Sequence, residues 1–319
     1  MSGGAVLVTG ATGFVGSAVV RALARRAAAG GPRVRAAVRS VPGDGPPGVE
    51  WVRADLTEPR SLRGIAEGCS VLLHLAARVA GPEEACAAVN VDGTSALVAQ
   101  ARAAGVRRVV QLSTAAVYGA GPHHGIAVGG EPAVPVSAAS RTRLAGERFV
   151  LDAGGTVLRP GLVLGAGDRW VVPALAEALA RVPGRWGGGR ALLSVVDVTD
   201  LARLIVAAGL SPRPLPGVRH ASHPVPVRVG DLLDRLAELE ILRAGGRERR
   251  RLPLERCLEL LRSTPGRVSE RQFRLLAEDH WYDSREVWDA AGCPPGPGPL
   301  ERLAEAADWY RGHLGAARL

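Results

Sequence analysis

Apolar positions along the chain follow two rhythms. Short runs of strand length fall at residues 5–8, 33–38, 50–54, 71–77, 106–112 and 156–159, each too brief to make a buried helix. Between them, apolar residues recur at helical spacing, as at Val15, Ala18, Val19, Ala22 and Leu23 after the first run. Further helices are predicted to open at residues 90–94 and to cover 229–242 and 300–314. Strands that alternate with helices predict an α/β fold, a doubly wound parallel sheet covered on both faces. Right-handed crossovers then put the carboxyl ends of the strands on one edge, where ligands bind.

The junction after the first run carries the first chemical signal. Gly10, Gly13 and Gly16 recur every third residue between strand and helix. Without side chains there, a pyrophosphate can approach the backbone and meet the free N–H groups and positive dipole end of the helix. This strand–turn–helix context predicts dinucleotide binding. The end of the second strand should meet the adenosine ribose. An acidic residue there would bond a 2′-hydroxyl, whereas this chain has Arg39, whose fork suits a 2′-phosphate, so NADPH is expected in preference to NADH. No linker or internal repeat divides the 319 residues. Residues 1–160 are expected to form the dinucleotide-binding core and 161–319 mainly a smaller substrate-binding part, with segments returning to the core. The Gly- and Trp-containing stretches 168–170 and 186–189 read as mobile walls around an apolar ligand.

The stretch TGATGFVGS at residues 9–17 resembles the extended branch of the short-chain dehydrogenase/reductases, and the resemblance spans nearly the whole chain. It implies a Rossmann-type core with Gly10, Thr12, Gly13, Phe14, Val15 and Gly16 at the cofactor. It also places Arg39 and Ser40 at the adenosine ribose, Asp55 and Leu56 at the adenine, and Leu75, Ala76 and Ala77 beside a ribose. NVDGT at 90–94 matches the same branch. STAAVYG at 113–119 resembles SS-x-x-VYG, which gives Thr114 the role of bonding a substrate carbonyl. Pro160, Gly161 and Val163 resemble RPGxVxG, whose backbone holds the nicotinamide carboxamide. Where relatives read close to YxxSKxxAE, residues 139–147 read ASRTRLAGE. Ala139 thus stands in place of the proton-donating tyrosine and Arg143 in place of the lysine.

Composition sharpens that departure. The chain contains no lysine, so all 40 basic residues are arginine and Arg143 is the expected substitute. Alanine, by contrast, has no proton to transfer. The resemblance extends to atypical ketoreductases that tailor polycyclic aromatic polyketides, in which a phenol or enol of the substrate could supply the proton. Two other readings stay open: a non-redox NAD(P)-binding scaffold or sensor, and a nucleotide-sugar epimerase or dehydratase, which would need the tyrosine. A net charge of +9 is spread over the chain, and its densest cluster, residues 243–251, lacks interleaved aromatics, which argues against nucleic acid. Cys69, Cys86, Cys257 and Cys293 lack metal-ligand spacing, so no metal is expected. No apolar run reaches spanning length and no basic leader precedes the first strand, so a cytoplasmic protein without membrane contact is expected. His123 and His124 read as a solvated pair, His74 as a packed one, and a homodimer is expected by analogy with the family.

Overall fold

The computed structural model describes residues 4–242 and 250–316. Its centre is a seven-stranded sheet in which every pairing is parallel. The strands β1 (Ala5–Thr9), β2 (Val34–Val38), β3 (Val49–Arg53), β4 (Cys69–His74) and β5 (Arg108–Leu112) are followed by Thr156–Arg159 and Gly217–His220. Across the sheet they run β3, β2, β1, β4, β5, Thr156–Arg159, Gly217–His220. The chain therefore winds one way from β1 to β3 and the other way from β4 onward, which opens a crevice between the ends of β1 and β4.

Alternation along β1 explains why both faces are covered. Val6 and Val8 join a core with Val19 and Leu23 of the helix Phe14–Ala28 and with Leu204 and Ile205 of the helix Val198–Leu210. Ala5 and Leu7 face the opposite core, with Leu97 and Ala101 of Thr94–Ala103 and Val150 of Ala138–Asp152. The fourth strand ends at His74, three residues before the predicted end. Its neighbour β1 turns away at Gly10, so Leu75 finds only the Thr9 carbonyl and the ladder stops. The helix expected from residue 90 begins earlier, at Glu83, and passes through a π-helical turn, Ala88–Gly93, before resuming. The helix expected over 229–242 closes at Glu238, two residues before Glu240 takes up a positive φ of 55°.

A second core lies beyond the sheet. Trp186, Phe273 and Tyr310 are fully buried in it with Leu175, Val195, Leu232 and Leu303. A four-stranded mixed sheet orders Val227–Arg228, Leu192–Leu193, His280–Tyr282 and His123–Ile126. This corrects the reading of residues 168–170 and 186–189 as mobile walls. Trp186 donates its indole N–H to Val182 O at 2.9 Å and packs against Phe273 with ring centroids 4.8 Å apart. Asp168 is buried and accepts the N–H groups of Trp170, Val171 and Val172, capping the helix Val171–Arg181, while Tyr310 donates its hydroxyl to the same carboxylate at 3.0 Å. In those stretches Arg169 and Trp170 are exposed, Trp170 at 64%, while Asp168 and Trp186 are buried. The four cysteines are buried free thiols. Among the described residues no helix is long and apolar enough to cross a membrane. The arginine-rich stretch 243–251 lies, but for its last two residues, outside the described residues.

The two tryptophans should separate in a denaturant melt. Trp186→Ala should lower the unfolding free energy by about 3–5 kcal/mol, and Trp170→Ala should change it by less than about 0.5 kcal/mol.

Candidate active site

At the glycine turn, steric contact dictates the geometry. Gly10 has a φ of 67°, and a Cβ on it would lie 2.6 Å from the Ala76 amide nitrogen. A Cβ on Gly16 would lie 1.9 Å from the Gly10 carbonyl oxygen, so the first turn of the helix Phe14–Ala28 rests directly on the loop. That helix starts at Gly13 without a side-chain cap and without an acidic residue in its first turn. Its leading amides and dipole are left to a ligand.

A cavity of about 590 Å³ opens above this turn, and its walls include Gly10, Thr12, Gly13, Arg39, Asp55, Leu56, Leu75, Ala76 and Ala77. These come from the ends of β1, β2, β3 and β4, the segments that sequence patterns had separated by up to 67 residues. Arg78, Val89, Leu62 and Ile65 also line it, and no motif pointed to them. Asp55 accepts the Thr57 amide and hydroxyl, which hold its carboxyl below the usual range with help from the charge of Arg39. Phe14, Val15 and Gly16 form the helical turn beneath, with the Phe14 ring against Gly167. Ser40 is exposed beyond Arg39. The donor-rich, acid-free helix start and the glycines that leave room for a bulky anion fit a nicotinamide dinucleotide.

Further along the same edge lie the residues expected at the reacting centre. Thr114 follows β5, and its Oγ1 accepts the Ala116 amide at 3.1 Å. The Ala115 amide donates to Pro160 O at 2.8 Å, which joins this strand end to the next. Ala139 and Arg143 stand one turn apart on the helix Ala138–Asp152 and so share a face. Arg143 donates Nη2–H to Leu112 O at 2.9 Å, while its buried Nε has no protein partner. Burial pulls its pKa down to about 10, which leaves it cationic near neutrality. Val163 lies in the short strand Leu162–Leu164 and pairs in register with Val196. The Gly161 amide is taken by Ser222 Oγ at 2.9 Å, so that N–H is already committed within the protein.

Under this edge runs a buried ion pair that the motifs did not announce. Arg159 meets Glu147 through Nε–Oε1 at 3.1 Å and Nη2–Oε2 at 2.5 Å, and Ser113 donates its hydroxyl to the same carboxylate. Arg159 also donates Nη1–H to Tyr118 Oη at 2.9 Å, Tyr118 donates to His220 Nε2 at 2.7 Å, and His220 donates Nδ1–H to Asp283 O at 3.1 Å. Tyr118 is thereby a packed network member. His123 corrects the expectation of a solvated pair: it is buried in the strand His123–Ile126, with Nδ1 3.3 Å from Glu131 Oε2, whereas His124 is exposed beside Asp279. His74 is packed as expected, between Thr9 and Thr94.

Residues 6–219 match the NAD dependent epimerase/dehydratase family. A protein named ceramide reductase from Caulobacter vibrioides is 31% identical over 332 aligned positions, which cover 97% of this chain and 95% of the relative. A 2-alkyl-3-oxoalkanoate reductase from Stenotrophomonas maltophilia is 31% identical over 224 positions, 65% of this chain and 66% of its own. Among solved structures, MoeE5 in complex with UDP-glucose and NAD superposes with a TM-score of 0.72 at 26% identity, covering 98% of this chain and all of the other.

Burial pushes His74 down to about 4, with the charge of Arg143 adding to it, and burial likewise brings His220 to about 4 beside Arg159. Both rings stay neutral in the folded chain where an exposed histidine near 6.5 already takes up a proton. As the pH falls through that range the unfolded chain binds protons first. Stability is therefore full above about pH 6.5 and should drop toward pH 4 by on the order of 3 kcal/mol per ring. Urea unfolding at pH 7.5, 6, 5 and 4.5 checks this, and a flat profile would contradict it.

Proposed function

Because the chain belongs to the NAD dependent epimerase/dehydratase family and is an oxidoreductase, we propose that it is a ketoreductase. In this reading it uses NADPH to reduce an apolar ketone that carries its own acidic hydroxyl, as polycyclic aromatic polyketides do. The observation that carries the reading is an intact cofactor edge combined with Ala139 where a proton-donating tyrosine would stand. The names of the two relatives, a ceramide reductase and a 2-alkyl-3-oxoalkanoate reductase, support a ketone with a substantial apolar portion.

Reduced nicotinamide, when bound, supplies the hydride for the carbonyl carbon. The chain's own residues hold and polarise the ketone. Thr114 Oγ1 accepts from the Ala116 amide through a lone pair, which leaves its O–H free to donate to the carbonyl oxygen. The Arg143 cation, one turn from Ala139 on the same helix, is the group that would hold a ribose hydroxyl and favour negative charge nearby. Ala139 leaves the proton to a phenol or enol next to the ketone, with water completing the transfer. Magnitudes allow this. Alignment of hydride donor and carbonyl supplies about 7 kcal/mol or more, whereas a positioned acid contributes about 10²–10⁴-fold. Arg39 at the cavity wall and the absence of an acidic residue at the end of β2 support a 2′-phosphate.

Loss of nicotinamide absorbance with a panel of hydroxylated aromatic ketones, run in parallel with NADPH and NADH, tests the proposal. NADPH should be preferred, and Arg39→Glu should narrow or reverse that preference. Thr114→Ala should slow turnover by less than about 100-fold. Complete loss of activity in that variant, with folding and cofactor binding intact, would contradict a substrate that acts as the acid. Wild-type protein without affinity for either nucleotide would overturn the whole reading.

A further inference from the structure

A second cavity, of about 470 Å³, adjoins the first, and Thr12 stands in the wall of both. One side of it is a face of the helix Phe14–Ala28, where Ser17 and Arg21 stand one turn apart. The other side is the loop from β2 to β3, which contributes Pro42, Asp44 and Pro47, together with Trp51 of β3. The loop cannot drift from this position. Its prolines have fixed φ angles, and it presses on Trp51, since a Cβ on Gly45 would lie 2.5 Å from the indole Nε1. Trp51 in turn pairs in register with Ala36 of β2, so the sheet sets where this wall stands.

Thr12 thus has an arginine in the wall on each side. Arg39, at the end of β2, lines the first cavity, and Arg21 lines the second. Among the described residues neither guanidinium is held in an ion pair or by a side-chain hydrogen bond. Asp44, the one carboxylate on the second cavity's wall, is not paired with Arg21, so no internal pair has to break for an anion to enter. Two guanidinium forks and a hydroxyl donor are groups that suit a phosphate, which presents several acceptor oxygens and up to two negative charges.

The place of that phosphate follows from the strand order. A nucleoside at the end of β2 brings its ribose to Arg39, and Pro42, three residues farther along the chain, already lines the second cavity. On the reading that this chain binds NADPH, we propose that the 2′-phosphate lies where the two cavities meet, at Thr12, and that Arg21 is its second cation, opposite Arg39. NADH would occupy the first cavity alone. Arg21 is then a specificity residue: it bonds the group that distinguishes the two nucleotides and no part that they share.

Titration calorimetry of the full-length protein with NADPH and with NADH tests this, at about 0.15 M salt, where fields are screened beyond about 8 Å. Arg21 is exposed, so Arg21→Gln should leave the fold intact. That variant should bind NADPH about 10-fold more weakly and NADH within about 2-fold of wild type. Arg25, one turn farther along the helix and in neither cavity wall, is the control, and Arg25→Gln should change neither affinity by more than about 2-fold. Unchanged NADPH affinity in Arg21→Gln, equal weakening of both nucleotides, or an equal effect of Arg25→Gln overturns the proposal. The NADPH reading survives each of these outcomes as long as wild-type protein prefers NADPH. Wild-type protein that binds NADH as tightly as NADPH overturns both.

Discussion

The site depends on a contact between two glycines. The Gly10 carbonyl occupies the space that any side chain on Gly16 would need, with only 1.9 Å to spare for a Cβ. Because these backbones touch, the helix Phe14–Ala28 leaves the sheet at one angle and its uncapped start faces the crevice. The strand order then makes the crevice, since β1 has β2 on one side and β4 on the other. A helix end of this kind suits an anion, and a crevice with a strand end on each side suits a ligand with two nucleoside halves.

The second organising feature is polar and buried. Glu147 and Arg159 form a two-point pair at 2% and 9% side-chain exposure, completed by Ser113, Tyr118 and His220. Such a pair is no clear gain in stability over apolar packing, because removing both charges from water costs several kcal/mol per ion. Its geometry is specific instead. It ties the ends of β5, Thr156–Arg159 and Gly217–His220 to one another and reaches Asp283, beyond the mixed sheet, through His220. The strand ends that present Thr114 and Pro160 are held at fixed separations by this network. Precision at the site is thus supplied from below the edge, by groups that do not face the cavity.

Much of the frame was legible in advance because its causes are local. Gly10, Gly13 and Gly16 between an apolar run and a helical pattern announce the turn, and Arg39 and Asp55 follow strands whose ends must share an edge. Other features had no local signature. Trp186 and its glycines look like a mobile loop until Phe273 and Val182 are seen to pack around it. His123 has the polar, glycine-rich neighbours of a solvated residue, yet a parallel pairing with the strand His280–Tyr282 buries it. The π-helical turn at Ala88–Gly93 follows from how Asn90 is bonded on both sides, which no periodicity encodes.

By itself the sequence determined the alternating sheet, the glycine turn between strand and helix, and a side chain without a hydroxyl at Ala139, because apolar period and missing side-chain atoms are properties of individual positions. Only the tertiary structure decided which polar groups support the site. Asn90 and Thr142 are 52 residues apart, and Glu147 finds Arg159 and Ser113 from opposite directions in the chain. Hydrogen bonds are satisfied in space, within about 3 Å, and the sequence carries no measure of that distance until the sheet and its helices have been assembled.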